Sequence, residues 1–90
     1  MDIREMTYIT VIAQAGSLSA AAKQLGVSQP TLSVFLSKLE DSLETDLFYR
    51  EKKQLVPTPA GRIYLSAAQK IISVRDQTYQ TIHHLTHETT

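Results

Sequence analysis

The sequence predicts a mainly α fold: a winged helix-turn-helix, with a three-helix core and a two-stranded wing, followed by a long linker helix. Three observations predict it. Residues 17 to 40, SLSAAAKQLGVSQPTLSVFLSKLE, carry two short helical apolar patterns across a tight Gly-containing turn. Residues 47 to 57 place apolar and aromatic residues on either side of a charged tip, as a short hairpin does. From Ala60 to about His84 nothing interrupts a helix. The chain therefore divides into a winged helix-turn-helix domain over residues 1–58 and a linker helix with its tail over residues 59–90.

Taken in order, Asp2 followed by Glu5 resembles a capping box. Ile3, Met6, Ile9 or Tyr8, Ile12 and Ala13 trace one face of a first helix, and Gly16 ends it; Arg4 and Glu5 read as solvated surface. In the second helix Leu18, Ala21, Ala22 and Leu25 recur at helical spacing. Gly26 can take φ > 0 and close that helix, with Val27 completing the turn. Ser28 caps a third helix, where Pro30 is harmless because it falls in the first turn. Its apolar positions are Leu32, Phe35 or Leu36, and Leu39, and it runs to about Leu43.

The hairpin is Leu47-Phe48-Tyr49-Arg50, a four-residue tip Glu51-Lys52-Lys53-Gln54, then Leu55-Val56-Pro57, with Pro57 suited to the end of an edge strand. Thr58 as N-cap and Pro59 at the first helical position open the last helix. Gly61 is expected to let another helix approach closely. The helix makes a rod of ~37 Å at 1.5 Å per residue. Leu65, Ala68, Ile72, Tyr79 and Ile82 form one stripe along it, interrupted by Arg75; Tyr64, Ala67, Ile71 and Val74 form another. A three-helix core covers only the first half of such a rod, so its exposed stripes call for a second helix, with the first stripe as the expected contact. His83, His84, His87 and the Thr-rich end read as a fraying tail.

Composition narrows the class. Ninety residues without cysteine form one small domain with no disulfide framework, which fits a reducing cytoplasm. No apolar run reaches the ~18 residues of a membrane span, so no membrane partner is expected. The chain lacks GxGxxG, a P-loop, HExxH and any cysteine nucleophile, and three glycines are too few for a phosphate cradle, so an enzyme is not expected. His83 and His87 stand i, i+4 but only Glu88 is a nearby carboxylate; no metal or cofactor is expected. Nine basic and nine acidic residues cancel, which is unusual for a nucleic-acid binder. The charges are segregated, however: Glu40, Asp41, Glu44 and Asp46 cluster after the third helix, while Arg50, Lys52, Lys53, Arg62, Lys70 and Arg75 face only Glu51 between residues 50 and 75. Local field, not net charge, decides binding.

A helix-turn-helix suits placing its second helix in the major groove of DNA. Ala21-Ala22, Leu25, Val27-Ser28-Gln29-Pro30, Leu32-Ser33 and Leu39-Glu40, followed by Leu47-Phe48 and Thr58-Pro59-Ala60-Gly61, resemble the N-terminal DNA-binding domain of the LysR-type transcriptional regulators. The similarity runs without a gap from about Ile3 to about Ile72. It implies a bacterial, cytoplasmic regulator that binds double-stranded promoter DNA as a homodimer, at a dyad of the T-N11-A type. By resemblance the bases are read by Gln29, Pro30, Thr31, Ser33 and Val34. Phosphate contacts are expected from Ser17, Ser19, Ser28, Lys38 and Arg50, since helix N-termini present free N–H groups to anions. Lys52 and Lys53 at the wing tip are placed for the flanking minor groove.

The resemblance also implies that the linker helix pairs antiparallel with its mate, that full-length relatives reach tetramers, and that a small-molecule effector binds a C-terminal α/β domain not contained in this sequence. Four positions depart from the family pattern. Val34 stands where Arg or another polar residue is frequent, shifting preference toward A·T-rich half-sites. Phe35 replaces a polar residue and either enters the core or touches the groove. Pro57 replaces an aliphatic residue. Glu44 replaces the Gly that closes the third helix, so that helix end is expected to close differently. The neutral charge and the Val34-Phe35 pair leave one alternative, a winged-helix protein-interaction module without DNA binding.

Overall fold

The computed structural model describes residues 1–87, whose elements run α1 (Ile3–Ala15), α2 (Leu18–Leu25), α3 (Gln29–Leu43), β1 (Phe48–Glu51), β2 (Gln54–Pro57) and α4 (Pro59–His87). Local capping sets the first boundaries. Asp2 accepts from the Glu5 N–H at 2.7 Å, Ser17 from Ala20 at 3.2 Å and Ser28 from Thr31 at 3.2 Å. Gly16 and Gly26 close α1 and α2 at φ 75° and 69°, in the left-handed region that a β-carbon disfavours. The capping box at Asp2 is half made. Glu5 does not reach back to the cap; its carboxylate accepts the Tyr64 hydroxyl at 2.8 Å, tying α1 to α4. Burial and that bond push the Tyr64 phenol above its ordinary pKa, so it stays a protonated donor.

The core gathers Met6, Ile9 and Ile12 of α1, Ala21 and Ala22 of α2, and Leu32, Leu36 and Leu39 of α3 with Leu47, Phe48, Leu55, Tyr64 and Ala68. Two alternatives left open by periodicity are thereby decided. Ile9 and Leu36 are fully buried, while Tyr8 and Phe35 are half-buried and meet edge to face, 5.0 Å between centroids. Phe35 thus neither enters the core nor stands free in the groove.

Several expectations are corrected. The wing tip is a two-residue turn, Lys52-Lys53, because Glu51 and Gln54 pair in the antiparallel ladder. Lys52 takes φ 56° to close it. The approach that Gly61 permits is made by the backbone entering the wing, not by a helix: a Cβ built on Gly61 would overlap the Leu47 carbonyl oxygen. Helix α4 continues through His87, so His83, His84 and His87 lie in its last turns; Glu88 and the Thr-rich end fall outside the described residues.

Glu44, expected to force another closure of α3, takes the left-handed conformation at φ 57° regardless, its N–H bonding to the Asp41 carbonyl at 3.2 Å. The penalty is accepted, not avoided. A β-carbon in that region costs ~1–2 kcal/mol, and glycine returns part of this through unfolded-state entropy. Glu44→Gly should therefore stabilise the domain by ~0.5–1 kcal/mol, raising the melting temperature by about 2–8 °C. A thermal melt checks it; no rise would mean that the Glu44 side chain compensates its backbone.

Candidate nucleic-acid interface

The third helix offers its solvent face by default, since Leu32, Leu36 and Leu39 consume the other. Gln29, Pro30 and Thr31 are exposed in its first turn, Val34 is 54% exposed and Ser33 is half-buried. Ser28 is exposed at the cap and also donates to the Thr31 hydroxyl at 2.7 Å, which leaves that hydroxyl its own proton to donate. At ~100° per residue, Gln29 and Ser33 turn to one flank of α3, and Thr31, Phe35 and Lys38 to the other.

On the first flank the structure brings together residues far apart in sequence. Ser17, Leu18 and Ser19 at the start of α2, Gln29 of α3, and Arg50, Lys52, Lys53, Gln54 and Leu55 of the wing line one open cleft of about 360 Å³. Three cations and no carboxylate line it. The segregated charge of the sequence thus becomes a local positive field in a molecule of zero net charge. The α2 N-terminus adds backbone N–H groups to the same cleft.

Two tethers hold the wing in this position. Leu55 N–H donates to the Gly16 carbonyl at 2.8 Å, pinning the second strand to the turn before α2. Glu40 Oε2 accepts from Leu47 N–H at 2.6 Å and from Phe48 N–H at 3.4 Å, joining the end of α3 to the wing's first strand. Glu40 therefore differs from its neighbours in the acidic cluster: its negative charge satisfies backbone donors. Periodicity did not single it out, and the only hint was its pairing with Leu39 in the family motif.

The other predicted residues lie elsewhere. Lys38 is exposed on the far flank of α3, outside the cleft. Of the stripe expected to pair with a second chain, Ala68 is fully buried in this chain's own core and Leu65 and Ile72 pack partly against it, whereas Tyr79 and Ile82 are 66% and 52% exposed. The apolar residues left uncovered include Ile63, Ile71, Val74 and Leu85, of which Ile63 and Leu85 escaped sequence reasoning. Among the described residues no helix is long and apolar enough to cross a membrane, and no group of three or more His, Cys, Asp or Glu side chains is placed to hold a metal.

This architecture has close counterparts. Residues 3–62 match the family described as bacterial regulatory helix-turn-helix protein, lysR family. The chain is 42% identical over 73 residues to the small neutral protease regulatory protein of Streptomyces coelicolor, covering 81% of this chain and 22% of that protein. It is 44% identical over 73 residues to the HTH-type transcriptional regulator BsdA of Bacillus subtilis, covering 80% of this chain and 25% of that one. The chain thus spans about a quarter of the length of these curated relatives. Among solved structures, the DNA-binding domain of CbnR in complex with DNA superimposes with TM-score 0.81 at 30% identity, over 96% of this chain and 99% of that one. The DNA-binding domain of BenM bound to catB site 1 DNA does so with TM-score 0.87 at 27% identity, over 100% and 97%. The family is one of transcription regulators rather than enzymes, and this chain belongs to it as a LysR-type winged helix-turn-helix DNA-binding domain.

Proposed function

We propose that this domain acts as a cytoplasmic homodimer on double-stranded promoter DNA, with α3 in the major groove and the wing tip at the flanking minor groove. Gln29, Pro30, Thr31, Ser33 and Val34 face base edges; Ser17, Ser19, Ser28, Lys38 and Arg50 hold phosphates; α4 pairs with a second copy. The observation that carries this reading is the carboxylate-free cleft shared by the α2 N-terminus, Gln29 and the wing cations. The DNA complexes of CbnR and BenM, whose domains share this fold, support it. Effector recognition and tetramer formation belong, on this reading, to a C-terminal domain outside these residues.

A random-sequence duplex selection, followed by titration of the winner at two salt concentrations, tests the reading. A T-N11-A-type dyad with A·T-rich arms, bound by a dimer and weakened steeply by salt, is the expected outcome. No binding at low salt by a folded dimer would favour the protein-interaction module that the zero net charge allows.

Two substitutions refine it. Replacing Lys52 and Lys53 together by Ala should weaken all sequences alike and reduce the salt slope by roughly two units, one per released phosphate contact. An unchanged slope dismisses the wing contact. Val34→Arg should improve binding to a site with guanine at the facing position by ~1–3 kcal/mol, through a bidentate pair with O6 and N7. Competition between the two duplexes measures it.

A further inference from the structure

We propose that Arg4 of α1, held in place by Tyr8, grips a phosphate of the same duplex on the flank of α3 opposite the wing. The domain would then clamp the major groove from both sides. The proposal rests on the DNA-binding reading above and assigns a contact to a residue that sequence periodicity leaves as solvated surface.

The groove sets the requirement. A helix of ~10–12 Å diameter fills a major groove ~12 Å wide, so both of its flanks face a phosphate strand. The wing and the α2 N-terminus serve one flank. The other carries Thr31, Phe35 and Lys38, and it abuts the N-terminal half of α1. Asp2, Arg4, Glu5, Tyr8, Thr31 and Phe35 line a single cleft there, of about 270 Å³.

Within that cleft the side chains form a row from α1 to α3. Phe35 packs edge-on against Tyr8, the rings 70° apart. Arg4 Nη2 donates to the Tyr8 hydroxyl oxygen at 3.3 Å, and the guanidinium carbon lies 5.4 Å from the Tyr8 ring centroid. Tyr8 therefore biases the exposed guanidinium along the ridge. One N–H is used by this bond, and the others of the planar fork are open for a bidentate phosphate contact. The hydroxyl of Tyr8, having accepted from Arg4, keeps a proton of its own to donate.

No carboxylate forms an ion pair with Arg4, although Asp2 lies near enough to help hold the guanidinium charged. Asp2 caps the Glu5 N–H, Glu5 accepts the Tyr64 hydroxyl, and the one ion pair among the described residues joins Arg75 to Asp76. A base edge is not the target, because Arg4 sits on α1, outside the groove that α3 occupies. Phosphate is the anion that lies beside the helix, and bidentate phosphate recognition is what the fork geometry suits.

The test titrates the selected duplex with the wild-type domain, Arg4→Ala, Arg4→Lys and Tyr8→Phe at three salt concentrations, with Lys23→Ala as an exposed-cation control on α2 and circular dichroism to verify folding. Arg4→Ala should weaken selected and unrelated duplexes alike, by roughly tenfold, and lower the salt slope by about one unit. Arg4→Lys should keep the slope but recover only part of the affinity, since a point charge replaces the fork. Ethylation interference should show one phosphate, across the groove from those protected by the wing, losing its effect in Arg4→Ala. Wild-type affinity and slope in Arg4→Ala overturn the proposal while leaving the DNA-binding reading intact. A wild-type domain that binds no duplex overturns both.

Discussion

Replacing Gly61 by Ala should lower the melting temperature of the domain by roughly 10–20 °C, although alanine is the better helix former. In an open helix the exchange gains ~1 kcal/mol. Here a β-carbon meets backbone instead of solvent. It would overlap the Leu47 carbonyl oxygen and lie 3.4 Å from the Pro57 β-carbon. The Leu47 carbonyl cannot swing away cheaply, because it accepts the Thr58 N–H at 3.0 Å. Thr58 fixes the same corner twice more: its hydroxyl donates to the Asp46 carbonyl at 2.7 Å and accepts the Gly61 N–H at 3.0 Å. Relief therefore requires α4 to move off the wing, opening the packing of Tyr64 and Leu55. A net loss of ~2–3 kcal/mol is expected, a large share of the stability of a domain this size. Ser66→Ala, exposed on the same helix, is the control and should be neutral or slightly stabilising. A Gly61→Ala domain as stable as wild type would mean that the helix start and the wing entry are not in contact.

That corner also shows which parts of the fold were legible and which were not. Asp2, Gly16, Gly26, Ser28 and Pro59 act on their own or adjacent turns, so their identity suffices to place helix ends. The Thr58-Pro59-Ala60-Gly61 motif was recognisable, but its physical reason spans fifteen residues, from Leu47 to Gly61, and depends on where the wing returns. The same limit hides Glu5, whose partner Tyr64 lies 59 residues away, and Glu40, which looked like one of four surface acids. The candidate cleft was legible as a set of polar and basic residues; its absence of carboxylates was not, because it follows from how the wing folds back onto α2. Local rules also misjudged Glu44, where the penalty of a left-handed β-carbon was weighed without the backbone bonds, Glu44 N–H to Asp41 and Thr45 N–H to Glu40, that close the helix in spite of it.

The largest functional effect is expected on α4, at Val74. Periodicity shows which residues share a face, but not which face the rest of the chain takes. Of the two stripes, the fold covers Leu65, Ala68 and Ile72 of one and Tyr64 at the start of the other, while from Ile71 onward the second stays open. Ile63 is 74% exposed, Ile71 41%, Val74 62% and Leu85 70%, with Ile82 at its edge. A single domain has no means of covering this line: α4 runs 29 residues, ~44 Å, in a molecule 55 Å long and 19 Å thick. Val74 sits midway between Ile63 and Leu85 in sequence. An antiparallel two-fold pair centred there brings each Ile63 to the partner's Leu85 and the two Val74 side chains together, so the stripe is complementary to itself. A charge at the centre is met by its own copy, which doubles the cost of burying it. Val74→Glu should therefore convert the proposed dimer to a monomer in sedimentation at micromolar concentration. Binding to a two-half-site duplex should fall by about a hundredfold or more, as linkage of the half-sites is lost, while a single half-site is bound as weakly as before. Because Val74 touches none of the core, the melting transition of the monomeric unit should persist. Tyr79→Glu, on the stripe that continues the buried face, should be the milder change. A Val74→Glu protein that remains dimeric, with Tyr79→Glu monomeric, would return the interface to the stripe of Tyr79 and Ile82.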